Sequence, residues 1–169
     1  MQTFLELAKA RYSVRRYKPQ PIEPEKLAQV LEAGRIAPTG CNNQPQRIKV
    51  ITDPAELAKI DECTPCRFKA PAVLLVCYDK NVCWKRSYDG ATSGEADASI
   101  VTTHLMLAAH EAGLGTCWVM HFDPAKTRDL FALPENIVPL AMLPIGYPAE
   151  NSAPAHLHEQ RLALEEILL

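Results

Sequence analysis

No glycine-rich dinucleotide fingerprint (GxGxxG) follows a strand-like run in these 169 residues, and no GxxxxGK(S/T) phosphate loop occurs. A nucleotide or flavin bound here would need other chemistry to hold its phosphate. Basic excess is missing as well: a net charge of -2 leaves no electrostatic footprint for nucleic acid or an anionic membrane. The longest apolar runs, such as residues 70–78, are far too short to span a bilayer. Residues 1–10 lack a basic segment followed by an apolar run, so no secretory signal is read and the sequence predicts a cytoplasmic protein. No Ser/His/Asp order and no paired-carboxylate pattern stands out. That suits a protein whose chemistry is carried by a cofactor.

What remains is an ordinary globular chain, 47% apolar and 22% charged. It shows no repeat, linker or low-complexity stretch, so residues 1–169 read as a single domain. Thr3 and Glu6 form a capping box before Phe4, Leu7 and Ala8, predicting an opening helix. A second helix starts near Pro24, with Leu27, Val30 and Leu31 on one face, and stops by Ala37-Pro38. Residues 47–52 read as a strand, and Asp53 caps a short helix carrying Leu57 and Ile60. Residues 72–78 have the continuous apolar pattern of a strand buried on both faces. Residues 81–94 lack periodicity and read as a mobile loop or lid. The longest helix is expected over 95–112, apolar on more than one face and therefore buried, in part against a partner chain, with Gly113 to end it. A strand at 116–120, a helix capped by Asp123 and a strand at 138–145 complete a layered α/β or α+β domain with a central sheet.

Two constellations offer chemistry. Arg11, Ser13 and Arg15, spaced by two, project to one side of an extended segment, with Tyr12 between them. Guanidinium forks and a hydroxyl converging on one point suit a phosphate; the plainer alternative is a solvated basic helix end. Residues 37–45 place Thr39, Asn42, Asn43 and Gln44 in a loop stiffened by Pro38 and Pro45. Such a rigid, amide-rich loop suits the edge of a flat heterocycle, and equally an ordinary turn. Six cysteines are present, and Cys77 and Cys117 in apolar runs read as core. Cys63 and Cys66 form a CxxC. Without a matching ligand pair it reads as packing or pocket-lining thiols ahead of a redox dithiol or half of a metal site. Trp84, Tyr88 and His121 either form an aromatic wall over a bound ring or simply anchor their loops.

Arg-x-Ser-x-Arg followed by Ala-Pro-Thr-x-x-Asn-x-Gln-Pro resembles the flavin-binding opening of the nitroreductase family. The resemblance continues through Phe68-Lys69-Ala70-Pro71, the helix from Asp97 with Gly113-Leu114-Gly115-Thr116-Cys117-Trp118, and Gly146-Tyr147-Pro148. It covers nearly the whole chain in the right order. The chain departs from the family pattern at Gln46, where an aromatic is frequent, and in the tail, where Arg161 is accompanied by His158 and Glu159 rather than a second strong base.

The resemblance implies a three-layer α/β (α+β) sandwich with a central mixed sheet flanked by helices, in an intertwined homodimer with FMN at the interface. It implies that Arg11, Tyr12, Ser13 and Arg15 hold the phosphate, ribityl chain and pyrimidine edge. Pro38, Thr39, Gly40, Asn42 and Gln44 would line the isoalloxazine from the other subunit. Met120 and His121 would present a backbone N–H to flavin N5, and Arg161 would reach the phosphate. Arg15 is the implied stabiliser of negative charge on reduced flavin, and no metal is expected. The implied activity is an oxidoreductase carrying electrons from NAD(P)H to nitroaromatics or quinones by a ping-pong mechanism. The alternatives are a flavin-binding or storage protein, specialised flavin chemistry, or a thiol or metal protein built on Cys63 and Cys66.

Overall fold

Residues 3–169 are described by a computed structural model. Local signals in the sequence set most helix boundaries. Helix α1 (Phe4–Ala10) opens on the reciprocal cap between Thr3 and Glu6, with Thr3 N–H donating to Glu6 Oε2 at 2.7 Å. Helix α2 (Pro24–Arg35) opens on a proline, whose missing N–H costs nothing in the first turn. After strand β1 (Gln46–Ile51), Asp53 accepts from the N–H groups of Ala55 and Glu56 and starts α3 (Pro54–Cys63). Strand β2 (Ala72–Asp79) leads to α4 (Gly94–Glu111), which stops where Gly113 takes φ +78°. Strand β3 (Gly115–Thr116), helix α5 (Pro124–Leu130, capped by Asp123) and strand β4 (Ile137–Gly146) follow.

The sheet order is β1-β2-β4-β3, which puts β2 and β4 in the middle. Alternation along β2 builds two cores. Leu74 and Val76 face α2 and α4 through Val30, Val101 and Leu105, whereas Val73, Leu75 and Cys77 face α3 and α5 through Leu57, Ile60 and Leu130. Helices therefore cover both faces, giving the three-layer arrangement.

The structure refines several expectations. The four strands pair antiparallel throughout rather than as a mixed sheet, and the parallel component is the isolated bridge Ser13–Thr116. An apolar run buried on both faces fixes burial but not the direction of its neighbours. The strand expected over 116–120 is interrupted after Thr116 and resumes as a bridge between Val119 and Met142. Its register is continuous, but Cys117 donates to Pro144 O, and Pro144 has no N–H to return the bond. The segment expected as an irregular lid is a short hairpin: Lys85 bridges Thr92, Ser93 N–H donates to Trp84 O at 2.9 Å, and Arg86 pairs with Asp89 beside Gly90 at φ +76°. On α4, Val101, Thr102, Leu105 and Ala109 are fully buried, while Ile100 and Leu107 face outward and are only partly covered.

Candidate functional site

The chain leaves α1 at Arg11 in an extended conformation (φ -63°, ψ 130°), and Val14 N–H donates to Thr116 O at 2.8 Å. Gly115 allows this approach, since a Cβ there would lie 2.5 Å from Val14 Cγ2. Val14 points inward and is buried, so Ser13 and Arg15 point outward. The Tyr17 hydroxyl anchors the segment from behind, 2.8 Å from Val14 O and 3.1 Å from Pro144 O, and burial pushes its pKa far above the usual phenol range.

Arg11, Tyr12, Ser13 and Arg15 line a cleft of about 260 Å³ whose other wall is the tail, with Leu157, His158 and Arg161. Tyr12 fixes the tail through its hydroxyl, 3.3 Å from Ser152 Oγ, and through an edge-on contact with the His158 ring. His158 Nε2 lies 3.1 Å from Lys9 O. No carboxylate lines this cleft, and among the described residues none of its three arginines is in an ion pair. Arg11 Nε is buried with no hydrogen-bond partner, and Arg15 reaches only Ser13 O, at 3.3 Å. Unpartnered guanidinium donors around one hollow fit a phosphate, which accepts bidentate charge-assisted bonds.

The field of this cleft extends to α4. His110, half-buried, is held below the ordinary histidine range first by burial and then by the Arg11 charge. The unfolded chain thus takes up this proton more readily than the folded one, and acidification through the histidine range favours unfolding. Lowering the pH from about 7.5 to about 5.5 is expected to depress the Tm of the parent chain more than that of His110→Gln. Equal slopes in thermal denaturation would contradict this assignment.

The second constellation lies elsewhere on the surface. Residues 38–44 do not line the arginine cleft. Their turn is held by Asn42 N–H donating to Thr39 O and Gln44 N–H to Thr39 Oγ1, with Cys41, Asn42 and Gln44 at φ between 50° and 55°. Pro38, Asn42 and Gln44 are exposed, and Thr39 and Gly40 half-buried. Met120 and His121 are also exposed, and among the described residues neither backbone N–H has a partner. Within one chain, then, the structure gathers Arg11, Tyr12, Ser13, Arg15 and Arg161. It leaves Pro38, Thr39, Gly40, Asn42, Gln44, Met120 and His121 outside that cleft, all exposed except the half-buried Thr39 and Gly40.

Asp97 escaped the sequence reading as a site residue. It is a buried carboxylate that accepts Gly40 N–H at 2.8 Å and the Ser93 hydroxyl at 2.6 Å. The available signal was Ser93-x-x-x-Asp97 at the start of a helix too apolar to leave a carboxylate unpartnered. Of the proposed aromatic wall, Trp84 packs beside Gly40, whereas Tyr88 is 95% exposed at the hairpin tip. Cys63 is the last residue of α3, and Cys66 lies in the short 3-10 turn that follows, Pro65–Arg67. Cys63 packs with Cys77 and Cys117 in the core; burial pushes the Cys77 thiol up to about 12 and raises Cys117. Among the described residues, no group of three or more His, Cys, Asp or Glu side chains is placed to hold a metal ion.

A helix-covered antiparallel sheet with an arginine-lined cleft beside its edge strand defines an α/β sandwich whose cleft has the chemistry to suit an anion. The nitroreductase family model matches residues 8–68 and 66–147. The chain belongs to the nitroreductase family. It is 43% identical to a nitroreductase family protein from Clostridium difficile of known crystal structure, with a TM-score of 0.93 over 99% of this chain and 97% of that one. An NADH dehydrogenase from Thermus thermophilus is 29% identical over 191 residues, covering 94% of this chain and 91% of the relative. An FMN reductase [NAD(P)H] from Bacillus subtilis is 32% identical over 159 residues, covering 83% of this chain and 64% of the relative.

Proposed function

We propose that this protein is an FMN-dependent oxidoreductase that carries electrons from NAD(P)H to small organic acceptors such as nitroaromatics or quinones, as a homodimer of single-domain chains in the cytoplasm. The observation that carries this reading is the cleft in which, among the described residues, Arg11 Nε is buried without a partner beside Arg15 and Arg161, whose guanidiniums reach only the backbone carbonyls of Ser13 and Gln160 and form no ion pair. Relatives whose names specify NAD(P)H and FMN supply the cofactor and the donor. When bound, FMN would supply the two-electron redox chemistry between NAD(P)H and the acceptor.

The chain's own residues bind and orient. Arg11, Ser13 and Arg161 would hold the phosphate, and Arg15 would offer a permanent positive charge to the pyrimidine edge, which favours the anionic form of the reduced ring. Residues 38–44 offer amides and a hydroxyl to the ring from the partner chain, and the free N–H groups of Met120 and His121 are the donors available for N5. One stacking position per site serves donor and acceptor in turn, which is the basis of the ping-pong order. Among the described residues no helix is long and apolar enough to cross a membrane, and the six thiols are unpaired, in keeping with a reducing compartment.

The test is one anaerobic titration. The oxidised-flavin absorption of the purified protein should bleach with NADH or NADPH and return when a quinone is added. A yellow protein that neither nucleotide bleaches would overturn the reductase reading.

A further inference from the structure

Loop 37–45 and hairpin 84–93 meet at one point, and a single buried side chain holds both. Asp97, in the first turn of α4, is 3% exposed. Its Oδ1 accepts Gly40 N–H at 2.8 Å and its Oδ2 accepts the Ser93 hydroxyl at 2.6 Å. Ser93 N–H in turn donates to Trp84 O at 2.9 Å and closes the base of the hairpin. There is little spare room: a methyl group on Gly40 would lie 3.0 Å from both Ser93 Oγ and Trp84 Cβ. Among the described residues Asp97 has no ion pair, so these two donors do what water does for an exposed carboxylate.

The loop needs such a hold. Cys41, Asn42 and Gln44 all take positive φ, a conformation that persists in non-glycine residues only where the surroundings over-determine it. The bonds from Asn42 and Gln44 to Thr39 lie inside the loop, whereas Gly40 N–H to Asp97 joins its turn to the body of the protein.

We propose that Asp97 is the positioning residue of the ring-binding side: its carboxylate sets residues 38–44 against hairpin 84–93 and so shapes the isoalloxazine seat with both segments. This rests on the reading that residues 38–44 contact the ring. Asp97 touches neither cofactor nor substrate and acts through Gly40 and Ser93. Its geometry, rather than its charge, is what the loop uses. An asparagine there keeps an oxygen for Gly40 N–H and presents an NH₂ to Ser93 Oγ, while an alanine leaves the Gly40 N–H unpartnered.

Amide hydrogen exchange on the FMN-loaded full chain, together with FMN affinity, tests the proposal. In Asp97→Ala, exchange should rise in 39–44 and in 84–93, and FMN affinity should fall about tenfold or more, the loss that accompanies a buried donor left without its hydrogen-bond partner. Asp97→Asn should restore both to near the parent values. If Asp97→Ala does not fold, Ser93→Ala keeps the Gly40 bond and should loosen 84–93 while 39–44 stays protected. Unchanged exchange in Asp97→Ala, or loosening of both segments in Ser93→Ala, would overturn Asp97 as the common anchor and leave the flavin reading intact. Raised exchange with unchanged FMN affinity would overturn its role at the ring and remove residues 38–44 from the site as well. Failure of Asp97→Asn to rescue would overturn the claim that geometry, not charge, is used.

Discussion

Replacing Arg11 and Arg15 together by alanine is expected to weaken FMN binding by roughly two to four orders of magnitude while the fold persists. Charge-assisted hydrogen bonds contribute about 1.5–3 kcal/mol each, so losing one strong interaction from each arginine removes about 3–6 kcal/mol, at ~1.4 kcal/mol per tenfold. The structure explains why stability should not follow. Arg11 Nε has no partner to lose, and Arg15 gives up only a 3.3 Å bond to Ser13 O. With Arg161 in the same cleft, the empty site gathers like charges, and deleting two of them relieves repulsion. Equilibrium dialysis should therefore show the affinity loss alongside a Tm equal to or above that of the parent chain. Rising salt should weaken binding in the parent more than in the double variant. Unchanged affinity in the double variant would remove this cleft as the phosphate site.

The parts of the fold legible in the sequence are those fixed by neighbours in the chain. The Thr3–Glu6 box, Asp53 before Pro54 and Asp123 before Pro124 each set a helix start within a few residues, and each forms its cap. The apolar run of β2 announced burial on both faces because every residue in it needs cover from one layer or the other. What sequence reading could not supply depends on partners far along the chain. Pro144 breaks the ladder opposite Cys117, yet neither residue marks the other locally. The bond from Gly40 to Asp97 spans 57 residues, and that from His158 to Lys9 spans 149. For the candidate site the division is similar. Arg11, Ser13 and Arg15 share one side because an extended segment alternates, a local rule. That Arg161 and His158 close over them follows only from the path of the tail. The hairpin at 84–93 was missed because a two-residue bridge flanking Asp89-Gly90 is too short to show any periodicity.

Introducing negative charge into the apolar tail is expected to split the proposed homodimer into monomers and empty its flavin site in the same step. Two surfaces argued to meet on one flavin, the arginine cleft and residues 38–44 with Met120, do not share a cleft in a single chain. The same chain exposes Phe4 and Leu5 on α1, Ile100 on α4, and Ile167 and Leu168 at 65% and 63% in the tail. A monomer would leave this apolar surface in water. In a symmetric pair every contact occurs twice, so Ile167→Glu/Leu168→Glu alters four side chains per dimer. Burying each contributes about 1.5–3 kcal/mol, an upper bound of roughly 6–12 kcal/mol before the cost of leaving four carboxylates against apolar surface. Light scattering should then report a monomer mass at micromolar concentration. FMN affinity should fall with it, because each chain keeps the phosphate cleft and loses the ring contacts contributed by its partner. A monomer that binds FMN as tightly as the parent would place both halves of the site within one chain. A dimer that survives both glutamates would show that the tail does not hold the interface and shift it to the outer face of α4 and the exposed side of α1.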